Sequence, residues 1–111
     1  MSDYLRLAKK RQEALSRLND FLKQIKEFVI SRDPQGRVLL FGSVARGNSR
    51  PDSDIDVLII SDVLGKDLRT KAKTMGDIME MLNNEFFEIH VVTREEYENW
   101  YKRFIDVWVE I

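Results

Sequence analysis

The feature that most constrains this chain is a pair of short strand-like runs, Arg37 to Phe41 and Asp54 to Ile60, joined through Gly42-Ser43 and a polar turn. Val38-Leu39-Leu40-Phe41 has no polar interruption, the pattern of a strand buried on both faces. Gly42 breaks it, and Ser43-Val44-Ala45-Arg46 reads as the first turn of a short helix with Ser43 as its N-cap. Gly47 to Ser53 is a turn-rich loop. A second strand then runs from Asp54 to Ile60. Alternate side chains of a strand share a face, so Asp54 and Asp56 project side by side while Ile55, Val57 and Ile59 turn to the buried side. Two like charges crowded together are costly unless a cation compensates. Mg²⁺ and Mn²⁺, which prefer carboxylate oxygens, are the ions such a pair suits.

The remaining chain supplies helices and a third strand. Residues 3–31 read as one long amphipathic helix, with Ala8, Leu15, Leu18, Leu22, Ile25 and Val29 near helical spacing. Pro34 and Gly36 end it. Lys66 to about Asn84 is helical, and Phe86 to Val92 is a strand. Thr93 with Glu96 forms a capping box that opens a helix to about Asp106. Residues 107–111 alternate in polarity and read equally as a last strand or as more helix. The pattern is α/β (α+β), a small sheet with helices packed against it.

Composition narrows the function. A chain of 111 residues forms one domain, 1–111, with a single core. Its 18 basic and 19 acidic side chains give no basic footprint for generic nucleic-acid binding. Cysteine is absent, which excludes disulfides and thiolate zinc sites. No segment reads as a signal peptide or a membrane span, so the expected location is cytoplasmic.

The third strand completes a site. Alternation puts Phe87, Ile89 and Val91 on one face and Phe86, Glu88 and His90 on the other. If this strand lies beside the second, Glu88 joins Asp54 and Asp56 in a three-carboxylate cluster. Such a cluster suits two divalent ions that activate an attacking oxygen and steady a leaving one. Gly42 permits close approach of a phosphate, Ser43 and its helix amides offer donors, and Arg46 adds a cation one turn on. Plainer readings stand beside these: a solvated strand edge for the aspartates, a helix cap for Ser43, a surface ion pair for Arg46. His90 reads as structural or peripheral, and Arg50 and Lys66 as solvated. The stripe Tyr97, Trp100/Tyr101, Phe104, Trp108 reads as core, with enough rings left over for a partner contact.

Phe41-Gly42-Ser43-Val44-Ala45-Arg46-Gly47 followed by Ser53-Asp54-Ile55-Asp56-Val57-Leu58 resembles the signature of the DNA polymerase β-type nucleotidyltransferases. More narrowly, the chain resembles the minimal nucleotidyltransferases. The resemblance implies a mixed sheet with flanking helices and Mg²⁺-dependent transfer of a nucleoside monophosphate from a triphosphate, ATP being the expected donor. Two ions are implied, with Mn²⁺ as a substitute. Asp54, Asp56 and Glu88 would be catalytic and metal-binding, and Gly42, Ser43 and Arg46 nucleotide-binding. Glu88 stands where many relatives have Asp. Proteins of this kind are often paired with a small helical HEPN-type protein, as the antitoxin of a toxin–antitoxin system. The implied acceptor is a hydroxyl on that partner, and a homo- or hetero-oligomer through the C-terminal aromatic helix is expected. A non-catalytic antitoxin that masks its partner by surface contact is the alternative.

Overall fold

The computed structural model describes residues 3–48 and 54–111. The expected loop segment from Ser49 to Ser53, with Arg50, lies outside them. Among the described residues, four strands form one sheet in the order β3-β2-β1-β4, where β1 is Arg37–Phe41, β2 Ile55–Ile60, β3 Phe87–Val92 and β4 Trp108–Glu110. β2 is antiparallel to β1 and parallel to β3, and β4 is antiparallel to β1, so the sheet is mixed. Within residues 107–111, Trp108–Glu110 thus form an edge strand. The Arg37 guanidinium donates to both Glu110 carboxylate oxygens at 2.9 and 2.8 Å, fastening that strand to its neighbour.

Helices cover one face of the sheet. α2, Leu18–Arg32, and α4, Leu68–Leu82, lay Phe21, Leu22, Ile25, Val29, Ile78 and Leu82 over Val38, Leu40, Val57, Ile59, Ile89 and Val91. The other face carries a smaller cluster. There Leu39, Leu58, Ile60 and Val92 are covered by Tyr97 of α5, Arg94–Asn99, and by Ile105. Strands sandwiched this way need apolar residues on both sides, which is why β1 and β2 lack simple alternation.

Three elements differ from the sequence reading. The long first helix is two: α1, Asp3–Ser16, and α2, with Arg17 at φ −109°, ψ 22° between them. Ser16 Oγ donates back to the Glu13 carbonyl at 3.1 Å, a local bond of the sort that bends helices. The C-terminal helix stops at Asn99 and gives way to a 3₁₀ turn, Tyr101–Arg103. The chain must leave the helix there to reach the open edge of β1. Its start follows expectation: Thr93 and Glu96 make the reciprocal capping box, and Lys71 of α4 bonds the same Glu96 carboxylate at 2.7 and 2.9 Å. Ser43 is not an N-cap. The short helix α3 runs Gly42–Arg46, Phe41 occupies the cap position, and no side chain caps it.

Candidate active site

The parallel pairing of β2 and β3 sets Asp56 directly opposite Glu88, so both side chains stand on one face. Across the antiparallel pair, Phe41 is opposite Asp56. Phe41 is the residue before the Gly42 bend. Three strands therefore bring the carboxylates and that bend to one end of the less covered face. Register puts them there, and register follows from the apolar set on the other face.

The bend and the carboxylate fit against each other. Gly42 has φ +77°, and a Cβ at that position would collide with Asp56 Oδ2 and sit 3.1 Å from Asp56 Cγ. A side chain there is excluded twice, by backbone conformation and by space. Ser43 follows, half-buried, in the first turn of α3.

Charge is crowded at this spot. The Asp56 carboxyl is pushed up to about 6, first by burial and then by the Glu88 charge, with Asp54 adding to it and His90 opposing. A carboxylate held so close to others, and partly out of water, favours either a proton or a cation. Asp54 lies just before β2, exposed, and its charge reaches Asp56. Asp56, Glu88 and His90 each offer a ligand atom, all within 4.8 Å of one another. Two carboxylate oxygens and an imidazole nitrogen at that spacing fit a divalent cation.

Arg46 is placed elsewhere. Its guanidinium donates to Asp106 at 3.3 Å on the surface, joining α3 to the turn before β4. The sequence reading put His90 on the Glu88 face but in a structural or peripheral role, whereas the structure brings its ring to the carboxylates. Its Nε2 lies 3.5 Å from Glu88 Oε1, and its ring packs on Phe41 at 5.5 Å and on Tyr101 at 6.4 Å between centroids. The signal was present in the Glu88-x-His90 alternation. What it lacked was the cross-strand partner that turns the ring toward the carboxylates.

The nucleotidyltransferase domain family matches residues 22–109, and the chain belongs to that family. That family is described as a nucleotidyltransferase domain, and the chain spans less than half the length of the curated relative it matches. A 46-residue stretch is 50% identical to "Putative protein adenylyltransferase MJ0604" of Methanocaldococcus jannaschii, spanning 37% of this chain and 46% of that protein's length. A crystal structure described as a "putative nucleotidyltransferase" superposes with a TM-score of 0.67 at 34% identity, covering 80% of this chain and 95% of the other. An antitoxin–toxin complex, MntA-HpeT, contains a chain with the same fold: TM-score 0.56, 13% identity, over 79% of this chain and 69% of that one.

Proposed function

We propose that this protein transfers a nucleoside monophosphate, AMP from ATP, to a hydroxyl of a protein partner, and that the partner is a small helical toxin of the HEPN type. The observation that carries the reading is the register of Asp56 with Glu88 beside the Gly42 bend. In the reaction, the acceptor oxygen bonds to the α-phosphorus and the bond to the bridging oxygen breaks, so pyrophosphate leaves. The hydroxyl proton goes to a base such as the Glu88 carboxylate. Asp54, Asp56 and Glu88 would hold the cations, Mg²⁺ in the first instance. Bound there, divalent ions supply charge neutralisation on the phosphates and orient the attacking and leaving oxygens. Gly42 and Ser43 offer the backbone and hydroxyl donors for the phosphates. Arg46 reaches a phosphate only by releasing Asp106. The adenylyltransferase name of the relative supports AMP transfer, and the fold shared with a chain of a toxin–antitoxin complex supports the partner class.

A second reading rests on a separate observation. Trp100 and Phe104 are 60% and 68% exposed and pack against each other at a tilt, 5.7 Å between centroids. Large rings left in water mark a contact surface. On this reading the protein neutralises its partner by covering it, without chemistry. Incubation with α-³²P-labelled ATP, Mg²⁺ and the candidate partner separates the two. Label on the partner, lost in Asp56→Asn, establishes transfer. Neutralisation by Asp56→Asn at full strength, with no label in the wild type, establishes masking instead.

A further inference from the structure

We propose that His90 is a nitrogen donor to the cation at the Asp56–Glu88 pair, and that it moves the site's preference from Mg²⁺ toward Mn²⁺, Co²⁺ and Zn²⁺. This rests on the nucleotidyltransferase reading of that pair and adds a property the three-carboxylate pattern does not contain. His90 shares a face with Glu88, two residues along β3, and its ligand atom falls within 4.8 Å of those of both Asp56 and Glu88. The ring is not loose. Phe41 on one side and Tyr101 on another hold it, and the nitrogen toward the carboxylates is Nε2, 3.5 Å from Glu88 Oε1.

A simple ion pair with Glu88 is the competing explanation for that placement. Charge-assisted N–H···O bonds are about 2.7–2.9 Å long. The 3.5 Å separation is wider than that, while it suits two donors that share a third atom between them. Mg²⁺ is hard, takes oxygen ligands and keeps its waters, so an imidazole adds little to its binding. For the later first-row ions an imidazole adds much, in the Irving–Williams order. A Mg²⁺ site built from oxygens alone gains nothing from a histidine aimed at it. Aromatic side chains that fix the ring's direction spend packing on holding that donor in place.

The chain has a single histidine, so its imidazole resonances are assigned without ambiguity. Metal alone is titrated into the full-length protein, wild type, His90→Gln and Asp56→Asn, with calorimetry for affinity and ¹⁵N NMR of the imidazole for ligation. Zn²⁺ is expected to shift the Nε2 resonance of the wild type, and Mg²⁺ to leave it nearly unmoved. His90→Gln should weaken Zn²⁺ and Co²⁺ by roughly tenfold or more and Mg²⁺ by less than about twofold. Zn²⁺ binding with the Nε2 resonance unmoved overturns the inference while leaving the carboxylate site intact. An equal loss of Mg²⁺ and Zn²⁺ in His90→Gln does the same. A Zn²⁺-induced Nε2 shift that persists in Asp56→Asn also overturns it, because the ion then sits elsewhere. If the wild type binds no divalent ion, alone or with ATP, the underlying site reading falls as well. The wild-type NMR titration decides the question even if His90→Gln does not fold.

Discussion

The two faces of the sheet are made by the same strands, yet they are covered to different extents and do different work. On one, α2 and α4 close over Val38, Val57, Ile59 and Ile89, and the ring of Phe21 meets Phe87 edge-on at 5.4 Å. On the other, Tyr97 and Ile105 cover only Leu39, Leu58, Ile60 and Val92, and the end that carries Asp56 and Glu88 stays open. Burial of a large aliphatic side chain stabilises by about 1.5–3 kcal/mol, so the first face supplies most of the folding energy. The second can tolerate charges that repel one another. Stability concentrated on one side of a sheet leaves the other free to hold groups that cost energy.

That division of labour can be broken from either side. The largest effect is expected on chemistry: Asp56→Asn should lower transfer by on the order of 10³-fold, about 4 kcal/mol of barrier, with folding intact by circular dichroism. A fall of less than about tenfold would move the reaction away from this pair. The opposite result should follow from Ile25→Ala beneath the sheet. There urea unfolding should show a loss of about 2–5 kcal/mol, with activity per folded molecule retained. Gly42→Ala touches both properties, since it forces a side chain into φ +77° and against Asp56. It should cost about 1–3 kcal/mol of stability and also impair transfer.

A smaller and more diagnostic effect is the dependence on pH. The folded Asp56 carboxyl titrates at about 6 against an ordinary value of 3.8. Between those two the native state holds a proton that the unfolded chain has released. Asp56 therefore favours folding below the lower value, and that advantage disappears as pH rises through the upper one. Glu96 and Glu110, held below their ordinary range by Lys71 and Arg37, work in the other direction and lose their contribution as pH falls. The difference between wild type and Asp56→Asn isolates the first group. Without metal, the variant should gain stability relative to the wild type from about pH 4 to about pH 6, and the difference should then level off. Parallel pH curves for the two proteins would mean that the carboxyl is not crowded. Smallest in stability are Trp100→Ser and Phe104→Ser, each expected within about 0.5 kcal/mol of wild type because both rings are exposed. Their effect belongs in a pull-down with the partner, where binding should weaken if this surface docks it.

Much of this was readable before any coordinates. Asp56 and Glu88 stood out because a period of two in a short apolar run leaves few faces for a carboxylate. The capping box at Thr93 announced its helix by local chemistry alone. The early end of α5 was not readable, since it depends on the edge of β1, distant in sequence. The same is true of Arg46, whose pairing with Asp106 spans 60 residues of chain.

By itself the sequence determined which residues alternate, where glycine and proline interrupt, and which side chains carry charge, because those follow from backbone geometry and local propensity. Only the tertiary structure decided that Trp108–Glu110 closes the β1 edge as a strand, and that His90 turns its Nε2 toward Glu88 under Phe41 and Tyr101. Both outcomes depend on strand order and register, which are set by how the helices bury the opposite face of the sheet.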